Sequence, residues 1–172
     1  MPSSSTPPNT ATDSGPALDD PHVIQRILRT ASTIAIVGLS NKTQRASHFV
    51  GSYLQDEGYR VIPVNPTVDA VLGETAYPDV ASIPDDITVD VVDIFRRPAA
   101  VPAIVAEAIA REVPAVWLQF GVINEEAARQ AQRAGLDAVM DRCMKIEHGR
   151  YSGGLHWMGM NTGVISAKRQ AW

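Results

Sequence analysis

The sequence has a single cysteine, Cys143, which excludes an internal disulfide framework and a multi-cysteine zinc site. It has no apolar run approaching the ~20 residues that a bilayer-spanning helix needs. Its N-terminus lacks the basic start and apolar stretch of a secretory signal. Basic residues are not in excess either: 15 Lys and Arg stand against 19 Asp and Glu, a formal net charge of -4. That balance speaks against a protein whose main task is neutralising a nucleic-acid backbone. His22, His48, His148 and His156 have no metal-ligand spacing with one another or with Cys143, and neither HExxH nor G-x-S-x-G occurs. The expectation is a soluble, cytoplasmic protein with no metal site and no catalytic constellation of its own.

What is present suffices for one packed domain: 172 residues, 45% of them apolar and 20% charged. Residues 1–18, rich in Ser, Thr, Pro and Asn, have almost no apolar side chains to offset the entropy of ordering and read as a disordered tail. Asp20-Pro21 is an N-cap followed by a first-turn proline, and Val23, Ile24, Ile27, Leu28 and Ala31 then share a helix face. From Thr33 onward, short buried runs alternate with helical stretches. The runs are Ile34–Val37, Val61–Val64, Val89–Ile94, Val116–Leu118 and Ala138–Met140. Phe49, Val50, Tyr53 and Leu54 form one intervening helix face, closed by Gly58. Val101, Ile104, Val105, Ala108 and Ile109 form a second, and a third helix runs from the cap Asn124 to Gly135.

Strands alternating with helices imply an α/β fold, a doubly wound parallel sheet of five strands in a single domain over residues 19–148. Numbering the strands in chain order, the expected arrangement is 3-2-1-4-5, with strand order reversing between the first and fourth. The second crossover, 65–88, carries four structure-breaking residues (Pro66, Gly73, Pro78 and Pro84) and is expected to hold loop and short helical pieces. Residues 149–172 form an extension whose tryptophans and methionines should cover this domain or a second copy, which makes a homodimer a candidate assembly.

Ligands of such sheets sit outside the carboxyl ends of the strands. Gly38, Leu39, Ser40, Asn41 and Lys42 follow the first strand and lead to Arg45 and Ser47 at a helix start, an arrangement suited to phosphate. The same residues could instead only turn the chain and cap the helix. Asn65-Pro66, Phe95-Arg96-Arg97, Gln119-Phe120-Gly121 and Asp141-Arg142-Cys143 follow the other strands. A nicotinamide dinucleotide normally asks for G-x-G-x-x-G and an acid after the second strand. Here Ser40 and Thr43 replace two glycines, and Asn65-Pro66 stands where the acid would be. Coenzyme A asks for cations and a helix start for its phosphates, and for a shallow groove of small apolar and amide groups for its arm. Arg96 with Val64, Asn65, Pro66 and Phe95 meets that demand, although Arg96 and Arg97 could equally be solvated loop residues.

VGLS at Val37 to Ser40, VIPVNP at Val61 to Pro66, LGETAYPDVASIP at Leu72 to Pro84, VDIF within Val92 to Arg96, WLQFGV at Trp117 to Val122 and DRC at Asp141 to Cys143 carry a family likeness. Together they resemble the standalone CoA-binding proteins, whose Rossmann-like domain is akin to the CoA-binding domain of the succinyl-CoA synthetase alpha subunit. The resemblance spans Ile24 to Glu147 and implies binding of CoA or acyl-CoA. The implied site is the Gly38–Lys42 loop, Asn65, Pro66 and the Phe95–Arg96 region, to which position at the helix start and after the fourth strand adds Arg45, Ser47, Gln119 and Gly121 as expected site residues. It does not imply ligase chemistry, because too little chain follows Glu147 for the second synthetase domain, and Phe120 stands where the synthetase has an acid. Two other readings stay open, an NAD(P)-dependent enzyme and an interaction protein with a vestigial cleft. Cys143 reads either as a small buried hydrophobe or as a thiol able to form a mixed disulfide with the coenzyme.

Overall fold

The computed structural model describes residues 15–152. Helix α1 (Pro21–Thr30) is capped by Asp20, whose carboxylate accepts from the N–H groups of His22 and Val23. Then follow β1 (Thr33–Val37), α2 (Ala46–Asp56), β2 (Arg60–Val64), β3 (Ala70–Val71), β4 (Glu74–Thr75) and β5 (Val91–Ile94). The chain continues through a short 3-10 turn into α3 (Val101–Ala110), β6 (Ala115–Leu118), α4 (Glu125–Arg133), β7 (Asp137–Val139) and α5 (Met144–Ser152). Strands β1, β2, β5, β6 and β7 form one parallel sheet. They are short and almost wholly buried, as strands covered on both faces must be. Helices α3 and α4 cover one face, packing Val101, Val105, Ala108, Ala128 and Ala131 onto Val92, Ile94 and Leu118. Helices α1, α2 and α5 cover the other, packing Ile24, Ile27, Leu54 and Met144 with Ile34, Ile36 and Trp117.

The sheet order is β2-β1-β5-β6-β7, which corrects the expected 3-2-1-4-5: the third main strand pairs with the first, not with the second. The reason lies in Pro63. A proline has no ladder N–H and is confined to sheet edges, and in the expected order its strand would have been flanked on both sides. In the structure β2 is an edge strand. The Pro63 carbonyl faces outward and accepts from Tyr77, and the Asn65 N–H donates to the Tyr77 carbonyl. The missing donor therefore costs β1 nothing. The point where strand order reverses consequently lies between β1 and β5.

Four further expectations change. Residues 15–18 are not a loose tail: Leu18 is buried and its carbonyl accepts from Met140, while Arg129 and Gln132 donate to the Pro16 carbonyl. Residues 1–14 lie outside the described residues. Phe49 does not join the buried face of α2. Ser47, Val50, Gly51 and Leu54 face the sheet, and Phe49 is left 60% exposed with the Lys145 ammonium 3.8 Å from its ring centre. In the 65–88 crossover the regular structure is the β3–β4 hairpin rather than helical pieces, its turn made by Leu72 and Gly73, both at positive φ. Helix α5 runs on to Ser152, past the expected boundary at 148, and the extension from 153 onward lies outside the described residues.

Candidate functional site

The carboxyl ends of β1, β2 and β5 are drawn together at Gly38. Its φ is +89°, and its N–H donates to the Val64 carbonyl at 2.8 Å. A Cβ at this position would lie 2.5 Å from the Phe95 carbonyl oxygen and 3.1 Å from the Arg96 Cδ, so only glycine lets the two strand ends approach. Beside it, an open groove of about 230 Å³ is lined by Val37, Gly38, Val64, Pro66, Pro78, Val80, Arg96, Ala103 and Ile104, with Asp79 and Glu107 at the polar margin. Four residues singled out from sequence, Gly38, Val64, Pro66 and Arg96, meet here. The far wall was not foreseen. Pro78, Asp79 and Val80 come from the irregular crossover, held in place by Tyr77 bridging to Val64 and by the Glu107 carboxylate accepting from the Val80 and Ala81 N–H groups. The only sequence signal for that wall is the Tyr77-Pro78-Asp79 run.

On the other side of Gly38 the chain passes through Ser40 to the start of α2. Asn41, Lys42 and Arg45 are exposed there. Arg45 occupies the N-cap position without a side-chain cap bond, and Lys42 precedes it by three residues, so two cations stand close in the chain to the start of α2. The Ser40 carbonyl accepts from His48 Nδ1 at 2.9 Å and the Ser40 hydroxyl from the Lys42 N–H at 3.1 Å, which fixes the loop.

Several residues expected at the site have groups engaged within the protein. Leu39 is fully buried in the core, and its carbonyl accepts from Asn65 Nδ2 at 2.9 Å. Asn65 also accepts from the Thr67 N–H and hydroxyl, so its amide is occupied within the protein. Ser47 is buried and its hydroxyl accepts from the Ser40 N–H. Phe95 is half-buried on the α2 side, its backbone tied to β1 by an N–H bond to the Val37 carbonyl. Gln119 is buried and donates to Asp93 Oδ2 at 3.0 Å. Gly121, at φ +81°, donates its N–H to Asp141 and lies in the β6–α4 loop outside the groove lining. Burial hides such roles from a sequence, because each depends on a partner distant in the chain.

Asp93 is the most perturbed ionisable group. Complete burial pushes its carboxyl up to about 8, against opposing hydrogen bonds from Gln119 and the Ile94 backbone. Burial also raises the Cys143 thiol, with the Asp93 charge adding to the effect and Lys145 and two backbone N–H groups opposing it. His148, on α5, is held below its ordinary range by burial and lies 2.9 Å from the Tyr53 hydroxyl through Nδ1. Among the described residues, no cluster of His, Cys, Asp and Glu could hold a metal ion, and no helix is long and apolar enough to cross a membrane.

The family model described as "CoA binding domain" matches residues 32–149. The chain belongs to this CoA-binding domain family. It is 40% identical over 125 residues to the Bacillus subtilis (strain 168) uncharacterized protein YneT, covering 73% of this chain and 91% of that protein. The hypothetical protein from Pyrococcus horikoshii OT3 shares the fold at a TM-score of 0.74 and 37% identity, over 88% of this chain and all (100%) of that one. The dinucleotide forming acetyl-coenzyme A synthetase 1 of Ca. Korarchaeum cryptofilum, apo form, matches at a TM-score of 0.52 and 26% identity, covering 61% of this chain but 25% of the synthetase. The domain is thus similar to a part of that acetyl-coenzyme A synthetase, and the match spans about a quarter (25%) of the larger enzyme.

Proposed function

We propose that this protein binds coenzyme A or acyl-CoA across the carboxyl edge of β1, β2 and β5, as a cytoplasmic binding module without turnover of its own. The observation that carries the reading is the close approach at Gly38, with the groove beside it and the loop to the start of α2 leading away from it. The groove is too small for the whole coenzyme and suits one part of it, with Pro66, Val64 and Val80 against apolar atoms. Lys42, Arg45 and the α2 N–H groups suit the pyrophosphate, and Arg96 suits a phosphate at the groove margin. Leu39, Ser47, Asn65 and Gln119 hold the frame and act through it. The domain's similarity to part of a synthetase supports the ligand class and says nothing for ligase activity in this chain.

Calorimetric titration with CoA tests the reading: saturable heat is expected, and a flat response at millimolar coenzyme rejects it. Arg96→Ala should weaken binding by about 1.5–3 kcal/mol if its charge-assisted bonds to phosphate are fully made. Titration with dephospho-CoA then assigns the phosphate. A variant loss that vanishes with dephospho-CoA places Arg96 at the 3′-phosphate, and an equal loss places it at the pyrophosphate.

A further inference from the structure

The groove beside Gly38 carries two carboxylates, and they are not equivalent. Glu107 Oε2 accepts from the Val80 N–H at 2.9 Å and from the Ala81 N–H at 3.3 Å, so it is engaged in holding the far wall. Asp79 is half-buried and accepts from the Ser82 N–H at 2.7 Å through Oδ1. Its Oδ2 has no hydrogen-bond or ion-pair partner among the described residues. The chain that carries Asp79 is pinned on both sides. Tyr77 is bound to the rim of β2, and Arg111 donates to the carbonyls of Ile83, Pro84 and Ile87. Asp79 is therefore placed before any ligand arrives. Arg96 lines the same groove, exposed and without an ion pair among the described residues. The two charges come from segments anchored on the two neighbours of β1: Arg96 follows β5, and Asp79 lies two residues beyond the Tyr77 contact with β2. Apart from Glu107, the rest of the lining is apolar, with Pro66, Pro78 and Val80 as bulk and Gly38, Ala100 and Ala103 leaving space.

We propose that Asp79 is the residue by which this protein reads the base of its nucleotide ligand: an adenine seated in the groove donates its exocyclic amino group to Asp79 Oδ2. The inference rests on the CoA reading and gives the groove to the base rather than to the arm. A carboxylate only accepts hydrogen bonds, so it pairs with a ring edge that carries an N–H donor. Its charge, with that of Glu107 nearby, opposes a phosphate or an acyl carboxylate in the same space. What fits is a neutral, largely apolar group with a donor at its edge, joined to a phosphate that Arg96 can reach. The pantetheine arm also has N–H donors, but it is long and flexible. A compact recess walled by two prolines suits a flat ring, whose ordering sacrifices less rotamer freedom.

The test titrates full-length protein by calorimetry with coenzyme A and with the analogue whose base is unsubstituted purine, hydrogen standing in place of the amino group. The wild type should bind coenzyme A at least about tenfold more tightly than the analogue, because only adenine makes the hydrogen bond to the carboxylate. Asp79→Asn keeps the loop: its amide oxygen still accepts from the Ser82 N–H, which the amide nitrogen cannot do, so Nδ2 is turned to the ligand. A donor then faces a donor, and the preference for adenine should fall to about one or reverse, with the thermal midpoint of the free protein near that of the wild type. Equal affinity of the wild type for the two ligands overturns the proposal. So does a preference left intact in Asp79→Asn, and an equal loss for both ligands there would set Asp79 against the arm instead. Saturable coenzyme A binding without base preference sinks only this assignment, whereas a flat response to both ligands sinks the CoA reading and this assignment with it.

Discussion

Asp93 couples the folding of this protein to pH. Its folded carboxyl holds its proton up to about 8, while an unfolded chain releases it near the ordinary aspartate value of 3.8. Between those limits the unfolded state binds fewer protons, so stability falls as pH rises, with a limiting slope of about 1.4 kcal/mol per pH unit. Below the lower limit the group contributes no slope, and above the upper one the loss is complete. Asp93→Asn should remove this dependence: denaturant titrations from pH 5 to 8 should show the variant gaining on the wild type as pH rises. A constant difference across that range would mean that Asp93 is ionised throughout. Gly38 poses a steric question of the same scale. A methyl group there meets the Phe95 carbonyl at a φ unfavourable to L-residues, and Gly38→Ala should cost more than about 1 kcal/mol in a denaturant titration. The need for glycine at this turn was legible in the sequence. The internal use of Asn65, Ser47 and Gln119 was not, because their partners Leu39, Ser40 and Asp93 are brought near only by the sheet.

At the scale of elements, local chemistry written into the chain is obeyed closely. Asp20 caps α1, and Asn124 accepts from the Ala127 N–H at 3.1 Å to cap α4, with Glu125 and Glu126 at the positive end. Asn124→Ala should lower stability by about 1 kcal/mol, measured by chemical denaturation, and Asn124→Asp by much less. The runs of buried residues located the five main strands, and the periodicity located the helices between them. Two short strands, β3 and β4, escaped notice because a two-residue ladder has no pattern to detect. The order of strands was misread for a different reason. Buried parallel strands look alike, and the deciding mark was one residue, Pro63, whose missing donor belongs on an outer edge. Phe49 shows the limit of periodicity: it neighbours Val50 in sequence, but a rotation of one residue carries it off the sheet and under Lys145.

For the whole molecule, a ligand that binds only the folded chain must raise its stability. CoA at a hundred times its Kd should add about 2.7 kcal/mol, readable as a rise in the thermal midpoint that grows with coenzyme concentration. The same coenzyme should leave the midpoint of a protein with a blocked groove unmoved, and Ala103→Trp, placed on the groove wall, provides that control. The fold class, and the strand ends at which the groove lies, could be read from the sequence, since alternation of strands and helices fixes which ends of the strands face one way. The depth and far wall of the groove could not, because they come from a crossover whose path depends on Tyr77 finding the rim of β2.

That meeting of Tyr77 with β2 has a consequence for self-association. At Pro63 the outer margin of the sheet offers no donor, and its carbonyl and the neighbouring Asn65 N–H are already engaged. A second molecule therefore finds no continuous row of backbone groups on which to zip itself there. Any pairing of copies on that flank has to be made by side chains projecting from helices or loops, and its strength should respond to surface substitutions while the ladder stays untouched.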